Sequence, residues 1–420
     1  MAIPSKKRLN ITVKEKNILL KKYNINNIED IDKAVIYKLK EDIKKLTDPR
    51  QQNKTSYKIW DIVICVFLAQ LAGCSSWYEI EDFVKEHHKW IKSFLKLSGG
   101  IPSYQTYERI ISLINRKELE NILTNFYKSL VNFISDENDI ISLDGKVSKS
   151  SSREKSEIKD KVNPLNVLNA YSTNHGICLA SEVISEKTNE IPNIPVILDR
   201  FNVKNNIITW DALNTQKENV AYVIKKQGDF VVPVKGNHKI FLSELEQYFN
   251  EKQQEMIIAG NPKSSYLKYY EKVNSRVLTY EYFQTEDIKW FEELKDWKGT
   301  KSFGMVKKTI EYKGKVSIEY RYYISSLFLN IDLFSNAIRN HWGVENKLHW
   351  HLDFTFKDDY NTTENKNALI NLQIINKFCL GILNKVKTRY QRSSLKRIKF
   401  RLSLNFSKNF VDLMCYLGLS

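Results

Sequence analysis

Two short runs decide how this chain folds: DIISLDGK at residues 139–146 and NIITWDAL at residues 206–213. Each is apolar and β-branched, and each closes on an aspartate, Asp144 and Asp211. Val, Ile and Thr pack well on a pleated surface and lose little there, so both runs are predicted strands. The sequence around them fills in a sheet. NVLNAYSTNHGICLASEVIS predicts a hairpin around Ser-Thr-Asn-His-Gly, and IPVILDRF and LNTQKENVAYVIKKQG predict helices. DFVVPVKGN predicts one more strand. Strand, hairpin, helix, strand, helix, strand is the pattern of a mixed α/β sheet. In an open sheet of this class, chemistry collects at the carboxyl ends of strands, where Asp144 and Asp211 stand.

A third carboxylate comes from HWGVENKLHWHLDF, residues 341–354, which holds three of the seven histidines, two tryptophans, Glu345 and Asp353. The stretch SNAIRNHWGVENKLHWHL predicts a helix with Ser335 as its N-cap. On that helix Ile338, Trp342, Glu345 and His349 share one stripe, which would fix the Glu345 rotamer. Trp342 and Trp350 read more readily as core residues than as base-stacking ones. His341, Glu345 and His349 also stand four residues apart, so a zinc triad must be weighed. It lacks the HExxH spacing of helical zinc peptidases, and the five dispersed cysteines form no CxxC pair to support a zinc site. Three carboxylates suit a hard, oxygen-seeking cation such as Mg²⁺ better.

Charge points to a polyanionic partner. The 420 residues carry 65 Lys+Arg against 49 Asp+Glu, a net +16. From Asn365 to Phe410 there is no acidic residue and there are eleven basic ones, interleaved with Tyr390 and Phe400. That suits phosphate contact with occasional stacking, on a helix with a basic face. Lys146, Lys235 and Arg339 are candidates for phosphate contact, and Trp342, Asn346 and His349 for contact with DNA near the site. A turn at Gly99-Gly100 followed by PSYQTYERI is compatible with a helix-turn-helix, or equally with two packed core helices. The start MAIPSKKRLN has no apolar run of the secretory kind. The longest apolar run, residues 62–73, is too short to span a bilayer. A cytoplasmic protein with reduced thiols, without a membrane partner, is the expectation.

Four blocks in order carry a resemblance. DPR at residues 48–50 with GIPSYQTYERI from Gly100, then SLDGK, then KTNEIP…ITWDALNTQKE…VVPVKGN, then IRNHWGVENKLHWHLDFTFKDD resemble the DDE transposases of the bacterial H-repeat-associated insertion sequences. The resemblance runs from about residue 40 to about 385, and its fourth block is the most specific. It implies a ribonuclease-H-like catalytic core and a catalytic triad of Asp144, Asp211 and Glu345. It further implies two Mg²⁺ ions (Mn²⁺ as a possible substitute), double-stranded DNA of terminal inverted repeats and target as substrate, and a homo-oligomer on DNA. Lys149, His238 and Asp358 stand where the family pattern usually has Arg, Gln and Glu. None of these departures removes a carboxylate of the triad. The expected reaction is strand cleavage at the element ends and transfer of the 3′-hydroxyl to target DNA. A relative that binds DNA without cutting it is the alternative. The expected organisation is a helical N-terminal region with possible DNA-binding role (1–137), a first part of the core (138–239), a β-rich insertion (240–333), the catalytic helix and end of the core (334–385), and a basic C-terminal segment (386–420).

Overall fold

A computed structural model describes residues 12–131, 139–148, 164–185, 189–258, 264–390 and 392–419. Lys149 lies outside them.

The strands build the sheet that positions the aspartates. They are β1 (Ile140–Ser148), β2 (Leu165–Ser172), β3 (Ile177–Ile184), β4 (Ile207–Thr209), β5 (Asp229–Val234), β6 (Ser264–Val273), β7 (Arg276–Thr285), β8 (Ser302–Tyr312) and β9 (Lys315–Ser325). Together they form one sheet in the order β3-β2-β1-β4-β5-β9-β8-β7-β6. β1, β2 and β3 make an antiparallel meander, and β4 and β5 then add in parallel beside β1. The parallel centre is β-branched and buried on both faces, as parallel strands must be.

The region expected as a β-rich insertion, residues 240–333, opens with most of a long helix, α10 below. Its four strands then join the same sheet, because β9 pairs antiparallel with the free edge of β5. Pairing removes an exposed edge that would otherwise template aggregation.

Helices flank the sheet. The N-terminal set is α1 (Val13–Tyr23), α2 (Ile31–Ile43), α3 (Ile59–Ala72), α4 (Trp77–Glu86), α5 (His88–Ile91), α6 (Tyr104–Ser112) and α7 (Arg116–Leu130). Between strands lie α8 (Asn193–Leu198), α9 (Lys217–Lys225) and α10 (Lys239–Ile257). The C-terminal set is α11 (Ile331–Gly343), α12 (Trp350–Thr355), α13 (Lys366–Arg389), α14 (Leu395–Leu404) and α15 (Phe406–Leu419). Their ends follow from local chemistry. Thr12 and Glu15 form a capping box at α1, and Gly73 closes α3 at φ 118°, a backbone angle only glycine adopts cheaply.

The apolar α3, from the run at residues 62–73, is buried nearly end to end against α13, α6, α4 and α2, which makes it the centre of the helical layer. Among the described residues no single helix is long and apolar enough to cross a membrane. α13 continues through residue 386, so the expected boundary before a separate basic segment falls inside a helix. α14 and α15 pack back onto the N-terminal helices. Tyr107 of α6 is fully buried against the α3–α13 core, so the Gly99-Gly100 segment leads into a packed core helix.

Candidate active site

Register places the two aspartates side by side. Ser142 of β1 pairs with Thr209 of β4 in parallel. Side chains alternate with a period of two, so Asp144, in the middle of β1 rather than at its carboxyl end, and Asp211, two residues past the end of β4, emerge on one face of the sheet. The Thr209 hydroxyl donates to Ser142 Oγ at 3.2 Å, which marks that face. Ser142 and Thr173 both donate to the Asn340 carbonyl at 3.3 Å, which sets α11 across it.

α11 starts earlier than expected. Asn330 caps it through Leu333 N–H, and Ser335 is a buried residue inside it. Phe334 reaches the sheet because β8 carries Gly304 beneath it: a Cβ there would stand 2.1 Å from the ring. α11 then passes into one π-helical turn, Val344–His349, before α12. Such wide turns are rare and often mark functional positions. The expected single α-helical stripe is therefore broken between Trp342 and His349.

The histidines bracket Glu345, four residues on either side. His341 Nε2 lies 3.7 Å from Asp211 Oδ1 while its Nδ1 meets Thr209 Oγ1 at 3.1 Å. His349 Nδ1 lies 3.3 Å from Asp144 Oδ2 while its Nε2 meets Asn169 Nδ2 at 3.2 Å. Each ring has both nitrogens engaged, by different partners, so a zinc triad of His341, Glu345 and His349 is not formed. Glu345 itself is exposed on the π turn; its carbonyl accepts from Trp350 N–H, but its side chain has no hydrogen bond or ion pair with another described residue. Among the described residues no three His, Cys, Asp or Glu side chains converge closely enough to form a ready metal cage. The donor chemistry is that of a hard cation: carboxylate oxygens, with the imidazoles turned to other work.

Sequence reasoning missed a fourth carboxylate. Glu190, just before α8, lies over β1: a Cβ on Gly145 would stand 2.1 Å from its Oε1. Asn214 donates to its other oxygen at 2.7 Å. Burial, then the charges of Asp144 and Asp211, push its pKa up, partly offset by the Asn214 hydrogen bond. The opposite holds for Asp211: His341 first, then the charges of Lys235 and Arg321, hold the carboxyl below its usual range against the cost of burial. The signal for Glu190 was present in KTNEIP, but nothing in sequence says that this loop returns to β1.

The remaining candidates divide. Lys146 is corrected: its side chain is 9% exposed and ion-paired to Asp353 and, at 3.6 Å, to Asp359, so it braces α12 and the following loop instead of facing phosphate. His349 is corrected likewise, being 8% exposed and turned toward Asp144. Lys235 is exposed just past β5 and acts electrostatically on Asp211. Arg339 is exposed on α11 with its guanidinium 4.1 Å from the Tyr269 ring centre. Asn346 is exposed on the π turn. Trp342 and Trp350 are not core residues, at 42% and 49% exposed. Arg321 stacks on the first at 4.9 Å, and Phe354 stacks on the second at 4.5 Å.

This geometry meets the comparisons with known proteins. A family model described as "Transposase DDE domain" matches residues 136–376, which span both aspartates and the π turn. The chain belongs to the H repeat-associated family of DDE transposases. A companion model, "DDE_Tnp_1-associated", matches residues 40–127, the helical layer. The Escherichia coli K12 protein named "H repeat-associated putative transposase YhhI" is 32% identical over 77% of this chain and 84% of its own length. "Putative transposase YncI" of Escherichia coli O157:H7 is 30% identical over 86% of this chain and 91% of its own length. Among solved structures, a piggyBac transposase synaptic complex with hairpin DNA covers 96% of this chain and 82% of its own, with TM-score 0.39 and 11% identity. That overlap is too loose to align residues.

Proposed function

We propose that the chain is a metal-dependent DNA transposase with a ribonuclease-H-like core, in which Asp144, Asp211 and Glu345 form the catalytic triad. One observation carries this reading: His341 and His349, equally spaced about Glu345, each face one of the two aspartates, at 3.7 and 3.3 Å. The order β3-β2-β1-β4-β5, an antiparallel meander with two parallel strands added, supports the ribonuclease-H-like assignment.

Asp144, Asp211 and Glu345 would hold two Mg²⁺ ions, for which Mn²⁺ is the natural substitute. When bound, such ions activate an attacking oxygen and stabilise the leaving one in phosphodiester chemistry. The chain's own residues supply position. His349 and His341 orient the two aspartates on the sheet face. Glu345, exposed on the π turn between the two histidines, would supply the third carboxylate. The reaction is cleavage at the insertion-sequence end, followed by attack of the freed 3′-hydroxyl on target DNA through the same site.

The partner is double-stranded DNA, with more than one subunit assembled on the element ends. Lys235 and the basic helix α14 offer the phosphate contacts. Lys396, Arg397 and Arg401 are exposed on α14, and Lys396 lies 4.9 Å from the Phe354 ring centre, which continues this face to Trp350 and the π turn. Lys399 of the same helix turns inward instead, donating to the Thr355 carbonyl at 3.2 Å and docking α14 on α12. A cytoplasmic location accords with a DNA substrate.

The test is strand cleavage of a labelled element end with Mg²⁺ and with EDTA, the unmodified chain beside Glu345→Gln, Asp144→Asn and Asp211→Asn. Metal-dependent cleavage lost in all three variants, with DNA binding retained, is the expected result. Equal cleavage in any variant removes that residue from the triad. Binding without cleavage by the unmodified chain favours a relative that holds DNA without cutting it.

A further inference from the structure

The buried lysine of α13 plays no part in the chemistry above. Lys377 is 6% exposed, and its ammonium donates to Asn169 Oδ1 at 2.6 Å and to Ser181 Oγ at 2.8 Å. Burying a cation among neutral acceptors is costly unless its hydrogen bonds are well made. We propose that Lys377 is a positioning residue for Asp144, acting through Asn169 and His349 to fix the imidazole as the tautomer that donates to the aspartate. The proposal rests on the reading of Asp144 as a site carboxylate.

An ammonium has only donors, so the Asn169 oxygen must face Lys377. The amide nitrogen then points the other way. It donates to the Val167 carbonyl at 3.1 Å and approaches His349 Nε2 at 3.2 Å. Cys178 Sγ, 3.9 Å from Asn169 Oδ1, fits the same orientation as a weak donor. Flipping the amide would set N–H against ammonium and carbonyl against carbonyl. With the amide fixed as a donor, His349 Nε2 must accept, so the ring proton sits on Nδ1. Nδ1 is the atom 3.3 Å from Asp144 Oδ2.

Register places the parts: Asn169 of β2 lies directly across from Asp144 of β1, and the π turn brings His349 over the pair. Four segments distant in sequence therefore meet: hydrogen bonds link Lys377 to Asn169 and Asn169 to His349, and His349 Nδ1 faces Asp144 Oδ2 at 3.3 Å. The result is an imidazole whose Nδ1–H faces the aspartate before any ligand arrives. Orienting partners of this kind commonly change metal affinity by about 10–100-fold when removed.

The first experiment reads the tautomer. The full-length chain, labelled with ¹⁵N-histidine and kept in EDTA, is examined by long-range ¹H–¹⁵N correlation, with His349→Gln assigning the signal. The expected result is one neutral form protonated on Nδ1. A ring protonated on Nε2, or on both nitrogens, overturns the proposal. The second experiment compares Lys377→Met. Mixed tautomers at His349 and Mn²⁺ binding weakened by about 10–100-fold, read by electron paramagnetic resonance, are expected. An unchanged tautomer with unchanged Mn²⁺ affinity overturns the proposal. If Lys377→Met does not fold, the tautomer of the unmodified chain decides. A chain that holds the Nδ1–H form yet binds no Mn²⁺ supports the hydrogen-bond chain and counts against the proposed function instead.

Discussion

Replacing Asp358 by asparagine should stabilise the chain, and more so at high pH. Asp358 is 2% exposed, and burial pushes its carboxyl from 3.8 up to about 6, against the pull of Asn376, which donates to it at 2.8 Å, and of Lys146. The folded state therefore binds this proton more tightly than the unfolded chain does. By linkage, stability falls as pH rises from the unfolded value through the folded one, and the full cost is present above about pH 6. A displacement of roughly two units is worth about 3 kcal/mol at most. Between about pH 5 and about pH 8 the change is about 1.4 kcal/mol, since part of the cost is already present at the lower pH. Asparagine keeps the oxygen that accepts from Asn376 and removes the charge. Urea unfolding of the unmodified chain and of Asp358→Asn, followed by tryptophan fluorescence at both pH values, gives the difference between their stabilities. That difference should grow by about 1.4 kcal/mol on going to high pH. A difference that does not change with pH, or that shrinks, refutes the reasoning and means the carboxylate is ionised and satisfied in the fold.

Three other perturbations test the architecture of the site. Gly304→Ala should cost about 1–3 kcal/mol by driving a methyl into the Phe334 ring, and Phe334→Leu in the same chain should recover part of it; thermal unfolding of the single and double variants decides. Gly145→Ala should displace the Glu190 carboxylate, so its cost should fall when Glu190→Ala is also present; a double-mutant cycle with no coupling would mean that the two do not touch. Changing Lys396, Arg397 and Arg401 together to glutamine should lower the slope of log K against log salt for duplex DNA by up to about 0.9 per lost phosphate contact, and an unchanged slope would place the DNA elsewhere.

Much of the local plan was legible in the sequence. The β-branched runs ending at Asp144 and Asp211, the hairpin between them and the helix around Glu345 all follow from periodicity and turn chemistry, which act over a few residues. So does the basic stretch that becomes α13 and α14. Non-local geometry was not legible. The strand pairing of Ser142 with Thr209 makes the aspartates neighbours, and only long-range assembly sets it. Lys146 read as a phosphate contact because its charge is visible in sequence; Asp353 and Asp359, which neutralise it, arrive from more than two hundred residues away. His349 read as a DNA-facing residue on a regular helical stripe, and a π turn rotates it onto Asp144. Trp342 and Trp350 read as core because large apolar rings usually are, yet α11 and α12 leave them on the surface. Glu190 lay unmarked in a loop until packing set it over Gly145. The sequence by itself determined the type of most elements and which carboxylates lie on or beside the central strands, because those depend on neighbours a few bonds away. The tertiary structure alone decided which side chains meet, because hydrogen bonds and ion pairs reach only a few ångströms and their partners here are scattered along the whole chain.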